Sequence, residues 1–275
     1  MCSDAGPRTK RDELHGEAVS AGTCREHLNA IGRELARHLI SNCTNEGALV
    51  VEAFTSSDHT LAMAAGAGRR ALACVPYYPL ARYIGAQLRA TLTEQELAKV
   101  GLRPCRPDQM HLGMADHLGQ VDLVIAAPPP YEIGGCVAKE AADRDCPACR
   151  ADLWMLGREH LSGFLSSAWR VLRPGGHLAV ITTARYQDDG RLSDPTPQVI
   201  RSARAVGLRY SQHVIAVRVP VEGDTLYVQA TSESLAQLRD IRSRALPPAA
   251  RVHADVSIFS KPSRVKGLSR RGVRR

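Results

Sequence analysis

Three short segments of the sequence carry the residue types expected of a ligand-binding site. Glu52–Thr60 (EAFTSSDHT) combines carboxylates and hydroxyls after an apolar run, and Ala127–Tyr131 (APPPY) follows a second apolar run. A third segment, Arg170–Leu178 (RVLRPGGHL), leads into another apolar run. In open α/β sheets, ligands bind beyond the carboxyl ends of the strands. The first two segments are therefore the candidates for direct contact with a ligand.

The apolar pattern around these segments predicts helices and buried strands in alternation. Helical spacing after Thr23, a possible N-cap, indicates an amphipathic helix, whereas short continuous apolar runs are typical of buried parallel strands. Pro174-Gly175-Gly176 is expected to end the helix before it. The predicted elements are a helix at 24–43, a strand at 48–54, a helix at 59–67, a strand at 69–75, helical residues at 78–99, a strand at 121–127, a helix at 152–172 and a strand at 177–184.

The C-terminal third changes to an alternating pattern. A helix near 199–206 precedes the alternating run 208–219, and the turn Glu222-Gly223-Asp224 leads to a second run at 225–231. This pattern predicts an antiparallel hairpin. The fold class expected is α/β, with a mostly parallel sheet covered on both faces and an antiparallel hairpin at its C-terminal end.

In this order, the longer segments that contain these three resemble those of the amino-methylating DNA methyltransferases. The longer segments are Val50–Ala64, Leu112–Tyr131 and Phe164–Thr182. These enzymes use S-adenosylmethionine to methylate N4 of cytosine or N6 of adenine. The resemblance implies a Rossmann-like S-adenosylmethionine methyltransferase fold. It covers most of residues 24–260, so we expect a flexible N-terminus at 1–22, one methyltransferase-like domain at 23–261 and a basic tail at 262–275.

The resemblance also implies which residues lie near the cofactor. In the family, an acid and a glycine-containing turn after the first strand receive the methionine portion of S-adenosylmethionine, and a later acid meets its adenine amine. This chain has Ser56 and Asp58 where the family has glycines, and no carboxylate in 73–77 after its second strand. The positions that match the family pattern are Glu52, Phe54, Thr55, Ser57, Thr60 and Asp116.

The proline segment corresponds to the catalytic motif of that family. There, a polar residue and a backbone carbonyl accept hydrogen bonds from the target amine, and an aromatic ring stacks on the flipped base. By resemblance the catalytic residues are Ala127, Pro128, Pro129 and Tyr131. Since the polar position is Ala127 or Pro128, one oriented acceptor is missing, which costs roughly 1 to 3 kcal/mol.

The cysteines leave two interpretations open. Cys136, Cys146 and Cys149 form the spacing C-x9-C-P-A-C, with His160 as a conceivable fourth ligand. This arrangement could hold zinc, or it could be a loop with free thiols. Most of the eight cysteines are expected to be small core residues.

Charge and hydropathy bear on partners and location. The formal net charge is +8, but six basic residues lie in 262–275, which leaves about +2 for the rest. No apolar stretch reaches the ~18 residues of a membrane helix, and the N-terminus lacks a signal-peptide core. We expect a cytoplasmic protein that does not contact a membrane and that binds DNA, with the basic tail as a possible phosphate-binding arm.

The function predicted is S-adenosylmethionine-dependent methylation of an exocyclic amine of a DNA base, cytosine N4 or adenine N6. One alternative is a catalytically silent methyltransferase-fold protein that binds DNA or a partner. Another is methylation of RNA or a small molecule, because a fold does not determine a substrate.

Overall fold

The fold is a central sheet with helices on both faces. The computed structural model describes residues 30–129, 146–152, 160–186, 192–217, 221–226 and 253–263. The predicted N-terminal segment 1–22, the helix start at Thr23 and the tail beyond residue 263 lie outside these residues.

The main sheet has seven strands: β1 (Leu49–Glu52), β2 (Arg70–Cys74), β3 (Val100–Arg103), β4 (Val121–Ala126), β5 (Leu172–Thr182), β8 (Arg209–Val217) and β11 (His253–Ser260). Their order across the sheet is β3-β2-β1-β4-β5-β11-β8. The first five run parallel, and β11 pairs antiparallel with both β5 and β8. This arrangement confirms the predicted mostly parallel sheet with antiparallel strands at its C-terminal end. Two short antiparallel pairs lie apart from this sheet. One joins β6 (Arg185–Tyr186) to β7 (Leu192–Ser193), and the other joins β9 (Val221–Glu222) to β10 (Thr225–Leu226).

Helices cover the sheet and divide the core into two apolar clusters. On one face, Phe164 and Val199 pack with β-strand residues such as Val51, and on the other face Ile40 and Leu61 pack with Val50. Neighbouring residues of β1 point to opposite faces, as a strand buried on both sides requires. The helices are α1 (Arg33–Cys43), α2 (His59–Gly66), α3 (Tyr78–Thr91), α4 (Glu94–Leu97), α5 (Met110–Gly113), α6 (Pro147–Asp152), α7 (His160–Val171) and α8 (Thr196–Ala205).

The helical segment predicted at 78–99 is divided in the structure. The α3 helix ends at Thr91, and Thr93 then caps α4 through a capping box with Glu96. Strand β3 follows, which the sequence pattern did not predict. It has four partly buried residues at the sheet edge, too few to show a periodic pattern.

One further prediction is corrected, and one strand has a partner that was not predicted. Pro174-Gly175-Gly176 does not end a helix: α7 ends at Val171, and these residues lie inside β5, where the register with β4 shifts. In the main sheet, β8 pairs with His253–Ser260, a partner that the sequence pattern did not indicate. Val221–Glu222 and Thr225–Leu226 form an antiparallel pair around the predicted turn. The rest of the second run, 227–231, lies outside the described residues, so the full hairpin of 208–219 with 225–231 stays a prediction. Sheet pairing here depends on distant residues, which a local pattern cannot identify.

Asp122 connects the beginnings of three strands. Its Oδ2 accepts a hydrogen bond of 2.8 Å from the Leu49 amide, and its Oδ1 pairs with the Arg173 guanidinium. Leu49 is only 2% exposed, so without Asp122 its N–H would have no water to replace the lost acceptor.

We expect Asp122→Ala to lower the free energy of unfolding by about 2 kcal/mol, because a buried amide loses its acceptor. Urea denaturation monitored by circular dichroism measures the change. Asp224→Ala, in an exposed turn, is the control and is expected to have little effect. Equal stability of the two variants would contradict the assigned role.

Candidate functional site

The two candidate ligand-binding segments meet at the carboxyl edge of the sheet. Glu52 pairs in register with Ile125, and the Ala53 amide donates a hydrogen bond of 2.9 Å to the Ile125 carbonyl. The turn after β1 therefore begins beside the proline segment that follows β4. This adjacency matches the position that ligands take in open α/β sheets.

Glu52 is the most unusual ionisable group at this edge. Its side chain belongs to a residue that is only 1% exposed, and its Oε2 has no hydrogen-bond partner among the described residues. Burial raises the pKa of Glu52 to about 8, the Thr60 hydroxyl lowers it, and the negative charge of Asp58 raises it further. The protein thus holds a carboxyl group that is largely protonated at neutral pH.

Thr60 lies in the first turn of α2, next to this carboxyl group. It is 1% exposed, and its Oγ1 makes no hydrogen bond of normal geometry within the described chain. Two buried, unsatisfied oxygen atoms are therefore close together at the end of β1. Buried polar groups are normally paired, so an unpaired set requires a cause such as a ligand that completes it.

The other predicted cofactor residues of this turn have local structural contacts. The Thr55 hydroxyl donates to the Glu52 carbonyl at 3.1 Å, and Ser57 Oγ accepts from the His59 amide at 3.4 Å. The Phe54 ring packs edge-on against Phe164 with ring centroids 5.0 Å apart. These contacts fix the shape of the turn and join it to α7.

Asp58 and His59 connect the turn to α1 and the residues before it. Asp58 Oδ2 lies 3.3 Å from the Arg33 guanidinium, and His59 Nδ1 lies 3.1 Å from the Ile31 carbonyl. Asp58 has φ −81°, and the described residues include no non-glycine residue with positive φ. Replacement of the family's glycine by Asp58 therefore causes no left-handed strain. The sequence pattern did not identify Arg33 as a partner of this site.

Asp116 is in a different environment from Glu52. Its side chain is 53% exposed and lies 2.6 Å from Arg103 and 3.4 Å from His117. Desolvation acts to raise the pKa of Asp116, but the Arg103 hydrogen bond and the charges of His117 and Arg103 together lower it. Its contact with Arg103 places it beside the end of β3. Its assignment to the cofactor adenine stays a prediction.

The proline segment continues directly from β4. Ala127 is partly buried, and Pro128 and Pro129 are buried. Tyr131, the predicted stacking residue, lies outside the described residues. The catalytic assignment of all four residues stays a prediction.

The cysteine motif is only partly described. Cys146 and Cys149 are buried in the apolar cluster that also contains residues of α3, and Cys136 and the side chain of His160 lie outside the described residues. Among the residues that are described, no group of three or more His, Cys, Asp or Glu side chains is arranged to hold a metal. The zinc interpretation stays untested for the whole motif.

A second pair of cysteines, which the sequence analysis treated only as core residues, lies near Glu52. Cys74 ends β2 and is close enough to Glu52 for the carboxylate charge to contribute to raising its pKa. It is buried together with Cys105 in one apolar cluster. Cys74 lies inside the predicted strand at 69–75, but the strand before Cys105 was not predicted, so no signal in the sequence indicated this pair.

No protein-family model and no curated protein matches the sequence. Several solved structures are similar in fold. One is the complex between the Haloferax volcanii Trm112 methyltransferase activator and a protein described as a methyltransferase, with TM-score 0.55, 11% identity, and coverage of 88% of this chain and 94% of that chain. A Bacillus halodurans C-125 protein described as a methyltransferase gives TM-score 0.50, 13% identity, and coverage of 83% and 99%.

A geranyl diphosphate methyltransferase in complex with GPP and sinefungin gives TM-score 0.50, 12% identity, and coverage of 83% of this chain and 77% of that chain. At this identity the similarity concerns the fold. The sheet order and these neighbours together confirm the predicted Rossmann-like methyltransferase fold. Among the described residues, no helix has the length and apolar character needed to cross a membrane.

Proposed function

We propose that this chain is an S-adenosylmethionine-dependent methyltransferase whose methyl acceptor is an exocyclic amine of a DNA base, cytosine N4 or adenine N6. The observation that carries the proposal is the pair of unsatisfied buried oxygens, Glu52 Oε2 and Thr60 Oγ1. They lie at the end of β1, where a sheet of this order binds its ligand.

The residues of this edge fit the methionine portion of the cofactor. An ammonium group would donate hydrogen bonds to Glu52 and Thr60, and its positive charge would favour the ionised carboxylate. The cofactor supplies an electrophilic methyl group. The Arg33–Asp58 ion pair, with an Asp58 side chain only 9% exposed, holds the start of α2 and thereby positions Thr60.

The proline segment suits an acceptor that is an amine. Pro128 and Pro129 have no N–H, so the backbone after Ala127 offers carbonyl oxygens without competing donors. An amine that donates to these carbonyls would be held with its lone pair available. Such a reaction requires positioning and hydrogen bonds, and it requires no covalent enzyme nucleophile.

Residues outside the described part supply the support for DNA as substrate. Tyr131 corresponds to the residue that stacks on a flipped base in the family that the motif resembles. The six basic residues after Pro262 provide charge for phosphate contacts. Both features suit a nucleic acid better than a small apolar substrate.

Isothermal titration calorimetry with S-adenosylmethionine and S-adenosylhomocysteine tests the cofactor. We expect micromolar affinity. Incubation with unmethylated plasmid DNA, followed by mass spectrometry of its nucleosides, then tests for N4-methylcytosine and N6-methyladenine. Cofactor binding without DNA methylation would overturn the DNA assignment, and no binding at millimolar cofactor would overturn the enzyme assignment in favour of a silent fold.

We expect Thr60→Val to weaken S-adenosylmethionine binding about tenfold without loss of stability. The substitution removes a hydroxyl that makes no hydrogen bond of normal geometry with any described residue, and it keeps the shape of the side chain. Calorimetric affinity and the thermal midpoint Tm are measured together.

Thr91→Val is the matched control, since its hydroxyl donates to carbonyls of α3 itself, away from the candidate site. It should leave the affinity unchanged. An unchanged affinity in Thr60→Val, or a large fall in its Tm, would contradict a ligand-binding role for this hydroxyl.

A further inference from the structure

Cys74 and Cys105 bring two free thiols into contact at the carboxyl edge of the sheet. Cys74 is the last residue of β2, and Cys105 lies two residues after β3. The two thiols hydrogen bond to each other. Both residues belong to the same apolar cluster and are 1% and 9% exposed, respectively. A disulfide would need the sulfurs to close to about 2.05 Å from this contact.

The backbone holds the two cysteines together. The Arg103 carbonyl accepts hydrogen bonds of 2.8 Å from both the Val75 amide and the Cys105 amide. The first bond joins β2 to β3, and the second closes a three-residue turn around Pro104. This turn folds the chain back toward the end of β2. The thiol contact is therefore set by main-chain geometry.

Helix α5 limits the space around Cys105. A Cβ atom on Gly113 would lie 2.4 Å from Cys105 Sγ, so only glycine fits beneath this thiol. On the other side, Pro104 is exposed, and Cys105 itself retains 9% exposure. This limited exposure suits an oxidant no larger than hydrogen peroxide.

The two thiols differ in reactivity. The hydrogen bond from Cys74 and the positive charge of Arg103 lower the pKa of Cys105 against the opposing effect of burial. The hydrogen bond with Cys105 and burial raise the pKa of Cys74. The Cys105 thiolate is thus the better nucleophile, and Cys74 remains a thiol.

We propose that Cys74 and Cys105 form a redox-active dithiol site that a peroxide oxidises to a disulfide. Cys105 sulfur attacks one oxygen of hydrogen peroxide, the O–O bond breaks, and the products are a Cys105 sulfenic acid and water. Cys74 sulfur then attacks the Cys105 sulfur and releases a second water. Two thiols and one hydrogen peroxide give one disulfide and two waters, with the two electrons passing to the peroxide.

This site does not depend on the methyltransferase assignment, so the two can fail separately. The test treats the reduced full-length protein with one equivalent of hydrogen peroxide, alkylates the remaining thiols, and maps the products by tandem mass spectrometry without reduction. We expect a Cys74–Cys105 disulfide that forms at least tenfold faster than oxidation of Cys43, a half-buried cysteine whose pKa is raised by burial. Dithiothreitol should restore both thiols.

Two variants test which cysteine attacks the peroxide and which one then forms the disulfide. In Cys74→Ser the sulfenic acid should persist on Cys105 and be trapped by dimedone, whereas in Cys105→Ser no adduct should form on Cys74. Circular dichroism checks that both variants fold. If they do not, the proposal is tested by the disulfide mapping of the oxidised wild-type protein alone. The proposal is overturned if both thiols remain alkylatable while Cys43 is oxidised, or if Cys105 becomes a sulfinic acid with Cys74 still free.

Discussion

We expect Glu52→Gln to gain stability relative to the wild type as the pH rises, by about 4 kcal/mol between pH 5 and pH 9. The pKa of Glu52 is about 8 in the folded protein and near its ordinary value of 4.5 once the chain unfolds. Between these values the folded state holds one proton more than the unfolded state. The contribution of the Glu52 carboxyl group to the free energy of unfolding is therefore fully present below pH 4.5, and it is lost as the pH rises through 8.

The physical cause is the cost of an ionised carboxylate on a side chain that is buried away from bulk solvent. Glu52 Oε2 has no hydrogen-bond donor among the described residues, and Asp58 adds a second negative charge nearby. Glutamine has the same shape and cannot ionise, so it avoids this cost at alkaline pH. If the carboxylate binds the cofactor ammonium, the same variant loses affinity for S-adenosylmethionine.

Chemical denaturation of both proteins at pH 5, 7 and 9 measures the effect. Glu34→Gln is the matched control, because the Glu34 side chain is 82% exposed and pairs with Arg37 on the surface of α1. Its stability should follow that of the wild type at every pH. If the free energy of unfolding varies with pH in the same way for the wild type and Glu52→Gln, the raised pKa of Glu52 is contradicted.

A second large effect is expected at Gly176. A Cβ atom there would lie 2.9 Å from the Val121 carbonyl oxygen, 3.0 Å from that of Arg173 and 3.2 Å from that of Asp122. These are backbone atoms of the β4–β5 contact, which cannot move aside like a flexible side chain. We expect Gly176→Ala to lower the free energy of unfolding by about 3 kcal/mol or more, measured by urea denaturation.

Gly32→Ala is the control for this substitution. Gly32 precedes α1 with φ −70°, and its added Cβ would meet no heavy atom within 4 Å. Its effect should stay below about 1 kcal/mol. If Gly176→Ala is no less stable than Gly32→Ala, the backbones of β4 and β5 leave room for a Cβ at Gly176, which contradicts their close approach there.

Local pattern was sufficient for most of the sheet. Short apolar runs correctly indicated β1, β2 and β4, because strands buried on both faces need apolar residues at every position. The position of the candidate site also followed from the sequence, since ligands bind beyond the carboxyl ends of such strands. The edge strand β3 was missed because its four partly buried residues have no comparable pattern.

Only the tertiary structure decided the contacts between distant residues. The partner of Asp58 is Arg33, which lies 25 residues earlier, and the sheet partner of β8 is a strand that begins at His253. The raised pKa of Glu52 results from its burial and from the charge of Asp58, and several packed elements create that burial together. The sequence by itself determined the residue types at the strand ends and the class of sheet. Packing determined which of those residues are paired, because burial and pairing depend on residues that are distant in the chain.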